Sequence, residues 1–130
     1  IRPRNFCRSA TKLEDQVRIH NSLLLAREVQ RSLLPLENPK LSGLDIAATS
    51  IYCDETGGDY YDYYLETNER GTGIVSMVVG DISGHGLASA LLMASARALL
   101  RQRTALSGSI ANIVTDVNRE LAVDVAKSGK

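Results

Sequence analysis

Two aspartates stand beside glycines: Asp59 in Gly57-Gly58-Asp59-Tyr60-Tyr61-Asp62, and Asp81 in Gly80-Asp81-Ile82-Ser83-Gly84-His85-Gly86. Residues 58–66 and 73–82 read as strands, and the polar, glycine-containing run Thr67–Thr72 between them reads as a hairpin loop. With that loop centred on Arg70, facing residues have numbers that add to 140, so Asp59 lies opposite Asp81. Facing residues of an antiparallel pair point to the same side, with Cβ atoms about 4.5–5.5 Å apart. Two carboxylates so placed repel each other unless a cation compensates them. Oxygen ligands without a His/Cys cluster suit Mg²⁺ or Mn²⁺ better than zinc. Either aspartate alone reads more simply as the cap of a turn or of the following helix; the pairing favours a metal. A one-residue bulge at Gly57-Gly58 or Gly80 would exchange the two faces.

The face carrying Asp59 continues with Tyr61, Tyr63 and Leu65 opposite Val79, Met77 and Val75, and is expected to be the buried, apolar side. Tyr60, Asp62, Tyr64 and Glu66 form the other, more mixed side. Gly84-His85-Gly86 precedes a helix, where free amides can hold an anion, but no GK[ST] follows, so a P-loop is not expected. His85 is a candidate general acid near neutral pH, against the commoner structural role of a histidine in such a turn. His20 reads as a surface side chain, and the tyrosines at 60–64 as ordinary strand residues.

The elements that must position these residues follow from pattern. Thr11-Lys-Leu-Glu14 has capping-box spacing, so a helix is expected from there to Leu34, stopped by Pro35. Ile19, Leu23, Ala26, Gln30 and Leu33 form an approximate heptad seam that would pair with a second copy or pack on its own domain. Ile46, Ala48, Ser50 and Tyr52 alternate as in a partly buried strand. A helix rich in small residues is expected from Gly86 to about Arg103. Ser107 or Ser109 should cap another, carrying the stripe Ile110, Ile113, Val114, Val117 and Leu121. The order helix, three strands, two helices indicates an α+β layer structure.

The chain has 130 residues, with 15 Lys plus Arg against 15 Asp plus Glu and a net charge of zero. That balance argues against a nucleic-acid or membrane-surface binder. It conceals a pattern: residues 41–69 carry seven acidic and no basic side chains, between basic flanks. The hydrophobic fraction of 44% is that of a globular domain rather than a disordered chain. The apolar stretch 87–96 is far shorter than the ~20 residues of a membrane span, and no signal peptide is visible. Two cysteines, Cys7 and Cys53, make no disulfide framework or CxxC zinc site, so the reducing cytoplasm is the default compartment. The chain starts with Ile and is expected to be cut from a longer protein.

Four pieces in order resemble the start of a bacterial protein phosphatase 2C-like (PPM family) domain of the RsbU and sporulation stage II protein E type. They are Ala26-Arg-Glu-Val-Gln-Arg-Ser-Leu-Leu-Pro35, GGDYYD at 57–62, GDISGHG at 80–86 with its alanine-rich helix, and Val117-Asn-Arg-Glu-Leu121. The resemblance implies a serine/threonine phosphatase on a four-layer αββα sandwich, with two Mg²⁺ or Mn²⁺ ions between the sheets and hydrolysis by a metal-activated water. It places Asp59, Asp81 and the main-chain carbonyl of Ile82 on metal-ligand positions, and leaves Asp62 behind the ligands or on the surface. It implies that residues 1–35 are a linker helix behind a sensor or receiver domain, dimerising through residues 13–34, and that 36–130 are the first part of the phosphatase domain. The substrate implied is a phosphorylated partner protein such as an anti-sigma-factor antagonist.

Two departures stand out. Ile82-Ser83 separates Asp81 from Gly84-His85-Gly86, where eukaryotic relatives have DGHG, so His85 does not align simply with their histidine. The family's later aspartate motifs are absent: after Asp81 the acidic residues are Asp116, Glu120 and Asp124. The chain as given is therefore expected to bind metal weakly and hydrolyse slowly or not at all. The rival expectations are a catalytically inactive regulatory or dimerisation module of the same fold, and an anion-binding module using the turn at 84–86.

Overall fold

The computed structural model describes residues 4–52, 55–67, 73–106 and 108–127. The element order is α1 (Arg4–Leu33), β1 (Tyr60–Thr67), β2 (Gly73–Gly80), α2 (Leu87–Thr104) and α3 (Ile110–Lys127). This is an α+β arrangement with one two-stranded antiparallel sheet among the described residues. The hairpin register is the expected one, from Tyr60 opposite Gly80 to Thr67 opposite Gly73. The loop residues 68–72, Cys53 and Ser107 lie outside the described residues.

α1 starts at Arg4, so the capping-box spacing at Thr11 lies inside the helix and does not begin it. Helix propensity upstream outweighs a local cap signal, because a residue already carried into a helix needs no cap. At the other end Pro35 follows the last turn, and Arg97 Nε of α2 donates to the Leu33 carbonyl at 2.5 Å. That bond satisfies one of the carbonyls a helix end leaves open. Ser109 caps α3: its hydroxyl accepts from the Asn112 amide at 3.2 Å and its carbonyl from the Ile113 amide at 3.0 Å.

α2 is the hub, touching α1, β1 and α3. Three of its arginines each bind a different element: Arg97 the end of α1, Arg101 Asp62 on β1, and Arg103 Asp116 on α3. Met93 of α2, fully buried, joins Leu34 and Tyr60 in the core, with Tyr52, Tyr61, Val78, Ile82 and Leu100 packed around them. On α3, Val117 is buried, whereas Ile110 and Val114 of the expected stripe are exposed.

Two further expectations are corrected. Residues 46–52 form no strand; the one bridge in this region joins Leu41 and Leu44. Alternation specifies an extended, half-buried segment, but a strand also needs a neighbour to take its amides and carbonyls, and none lies beside it among the described residues. The buried hydroxyls of Ser50, Tyr52 and Thr56 also lack partners there. Second, the inner face of the hairpin is the mixed one, with Tyr60 and Asp62 buried, while Leu65, Met77 and Val79 of the apolar face are 60%, 59% and 87% exposed. Covering each of those three side chains would be worth about 1.5–3 kcal/mol. Of the two packings open to the α1 seam, its lower part takes the one within its own chain: Gln30 is only 4% exposed, and Leu23, Ala26 and Leu33 are partly covered, while Ile19 remains open.

Candidate metal centre

The glycine pair at the start of the site is held from two sides. Gln30 of α1 clasps Gly57 through its side-chain amide: Nε2 donates to the Gly57 carbonyl at 2.5 Å, and the Gly57 amide donates to Oε1 at 3.1 Å. The glutamine thus acts as a one-residue strand partner for the chain just before β1. A Cβ on Gly57 would lie 2.7 Å from the Tyr52 ring, and one on Gly58 would collide with the Ile82 main-chain carbonyl. Both glycines are therefore required by close approach, and the second one brings the Ile82 carbonyl up against the start of β1.

The Ile82 amide also donates to the Gly58 carbonyl at 3.4 Å. This contact continues the register of the ladder by one hydrogen-bonded pair beyond Tyr60 and Gly80. Asp59 and Asp81 lie between these two pairs, at a facing position where antiparallel strands come closest. Both are exposed, and neither has an ion-pair partner among the described residues. The register, extended by the bond from Ile82 to Gly58, sets Asp59 across from Asp81, with Ile82 next to it. His85 is exposed in the following turn, between Gly84 (φ 103°) and Gly86 (φ 74°). Gly86 caps α2 without a side-chain hydrogen bond. Two carboxylates and an adjacent carbonyl fit one side of a hard, oxygen-ligated cation such as Mg²⁺ or Mn²⁺. Among the described residues no three His, Cys, Asp or Glu side chains converge.

Asp62 is neither on the surface nor behind the ligands. It is 1% exposed and accepts a forked pair of bonds from Arg101, both at 2.7 Å. The Tyr60 hydroxyl donates to it at 2.8 Å and the Tyr63 amide at 2.9 Å. The bond to Asp62 raises the Arg101 pKa. Burial, with the hydrogen bonds to Tyr64 and Asp62, pushes the Tyr60 phenol far above its ordinary range, and burial also raises Tyr64. His20 is exposed and lies 3.5 Å from Glu55. The sequence reading missed Gln30 and Arg101 as positioning groups. A polar residue inside an otherwise apolar seam was the available signal for the first; nothing local marks the second.

The residues of this geometry from β2 to the end of α3 coincide with a known family model. Residues 71–128 match "Stage II sporulation protein E (SpoIIE)". This stretch of the chain, 58 residues, is similar to the SpoIIE family model. The SpoIIE match takes in Asp81, Ile82 and His85 and stops short of Asp59. The chain is also 31% identical over 78 residues to the phosphoserine phosphatase RsbU of Bacillus subtilis, covering 60% of this chain and 22% of that protein. It is 32% identical over 75 residues to protein IcfG of Synechocystis sp., covering 58% of this chain and 11% of that protein. The chain thus spans about a fifth or less of the length of these relatives. No solved structure matches it. The resemblance read from the motifs agrees with these matches, of which the SpoIIE one contains Asp81 and Ile82.

Proposed function

We propose that this chain is the first part of a metal-dependent serine/threonine protein phosphatase domain preceded by a signalling helix. The observation that supports the reading is the ladder from Tyr60 opposite Gly80 together with the Ile82 amide bonded to the Gly58 carbonyl, a register that sets Asp59 across from Asp81 at the open end of the hairpin. Asp59, Asp81 and the Ile82 carbonyl would hold Mg²⁺ or Mn²⁺, two ions in the complete domain. The cation supplies water activation and charge neutralisation at a phosphoryl group. The chain's own residues do the positioning: Gln30 fixes Gly57, Gly58 admits the Ile82 carbonyl, and the ladder sets the distance between the aspartates. His85, exposed four residues beyond Asp81, is the candidate proton donor to the leaving oxygen.

The exposed face of Leu65, Met77 and Val79 is where the second sheet of a four-layer αββα sandwich would pack, with the cations between the sheets. The relative RsbU is named a phosphoserine phosphatase, which supports a phosphorylated protein as substrate, of the anti-sigma-factor antagonist class. α1 carries exposed Leu13, Val17 and Leu25 above its clasped end, and this upper part is the surface for a homodimer and for an upstream sensor or receiver domain. Among the described residues no helix is long and apolar enough to cross a membrane; the reading places the enzyme in the cytoplasm, away from nucleic acid and membrane.

The test is phosphate release from a phosphoserine protein by the full-length protein with Mn²⁺. Activity that Asp81→Ala abolishes supports the reading; activity retained in that variant sinks it. The second reading, an inactive regulatory module of the same fold, is favoured by the absence, among the described residues, of any cluster of three His, Cys, Asp or Glu side chains. It requires no Mn²⁺-dependent hydrolysis by the full-length protein.

A further inference from the structure

Strand β1 reads Tyr60-Tyr61-Asp62-Tyr63-Tyr64, two tyrosines on each side of one aspartate. Its apolar content is therefore the same on both faces near the centre, and hydrophobicity alone does not decide which side meets α2. On β2 the balance runs the other way from the observed packing. Val75, Met77 and Val79 share the side of Tyr61 and Tyr63, where Met77 and Val79 are exposed and Tyr61 is partly covered at the edge of the core, while Gly80, Val78, Ser76 and Ile74 share the side of Tyr60 and Tyr64. What distinguishes the inner face is a polar network: Asp62 with Arg101, the Tyr60 hydroxyl on Asp62, and the Tyr64 hydroxyl 3.0 Å from that of Tyr60.

We propose that the Asp62–Arg101 pair is the face selector of the hairpin, and that both are positioning residues for the Asp59–Asp81 pair. A buried ion pair is retained more defensibly for specifying one arrangement than for raw stability. Here the geometry keeps its cost low, since Asp62 accepts four hydrogen bonds while the Arg101 side chain stays 46% exposed. Facing side chains keep strict parity along a strand. Asp59 is three residues from Asp62, an odd step, so sending Asp62 to α2 sends Asp59, and with it Asp81, to the opposite side. The choice of face stands on this geometry alone; only its consequence, an outward-opening carboxylate pair, rests on the phosphatase reading.

The test uses the 130-residue chain without metal, so that failure of the selector and failure of the cation site are distinguishable. In Asp62→Thr/Arg101→Gln both charges are removed together, leaving a residue at 62 that is neutral towards either face. The readout is the set of NOEs from the buried Met93 methyl. The wild type should show Tyr60 and Val78. The double variant should transfer at least half of that intensity to Met77, Val79 and Tyr63. A folded double variant that keeps Tyr60 and Val78 on Met93 overturns the proposal. So does an unfolded one, because the pair would then supply stability rather than choice. Asp62→Asn, which keeps the side-chain shape, is the second variant: a second, slowly exchanging set of NOEs to the outer face supports the selector, and a single native set contradicts it.

Discussion

Asp59 is exposed and faces Asp81 across the open end of the hairpin, whereas Asp62, one turn of sequence motif later on the same strand, is sealed against α2 by Arg101, Tyr60 and the Tyr63 amide. The protein has compensated the second charge itself and has left the first uncompensated beside another carboxylate. The two aspartates of GGDYYD are chemically identical, so the difference comes from strand parity and from what lies across each face. One face is finished by protein side chains, and the other ends in two exposed carboxylates, the proposed cation site.

The contrast is broken most severely by removing Arg101. Arg101→Ala leaves Asp62 buried and unpaired, and should cost about 3–5 kcal/mol of unfolding free energy. Asp62→Ala frees an arginine that is already half in water, and should cost clearly less. Urea denaturation of both variants checks the ordering; equal losses would mean that Asp62 is not held as an ion in this face.

A smaller effect is expected at the glycine end. Gln30→Ala deprives Gly57 of both its bonds and should cost about 1–3 kcal/mol, and amide exchange at Gly57 should accelerate with it. Unchanged protection at Gly57 would remove α1 from the account of how the site is held.

The inner face should also announce itself at high pH. The Tyr60 phenol is raised above its ordinary value of 10.0, so the neutral form is the one the fold favours. Its contribution is intact below pH ~10 and is lost as pH rises above that value. Ultraviolet titration should show Tyr60 ionising only as the chain unfolds, and Tyr60→Phe should flatten that alkaline loss. The smallest effect belongs to Asp116, which the bond to Arg103 holds below its ordinary 3.8. Its contribution is present above pH ~4 and disappears as pH falls through the lowered value. Asp116→Asn should remove a shallow acid-side slope, measured by thermal melts between pH 2 and 5.

The register of the hairpin was legible because a polar, glycine-containing loop centres it and both strands have simple alternation. The choice of face was not legible, because the tyrosines flank Asp62 symmetrically and its partner Arg101 is 39 residues away in sequence. The alternating residues 46–52 announced an extended segment but not a neighbour, which pattern alone never specifies. Gln30 fell correctly on the covered side of α1. Its task, pairing with the backbone of Gly57 rather than with a second helix, depends on a contact 27 residues away. That Asp59 and Asp81 share a face was legible from parity once the register was fixed; that this face is the exposed one was not.

Paramagnetic broadening by Mn²⁺ on the 130-residue chain tests the central claim most directly, since it registers weak binding without requiring catalysis. Substoichiometric Mn²⁺ should broaden the amides of Gly58, Asp59, Asp81 and Ile82 first, and Asp81→Asn should weaken the effect by about tenfold or more. Broadening that begins elsewhere, or that Asp81→Asn leaves unchanged, would contradict a cation site at the open end of the hairpin.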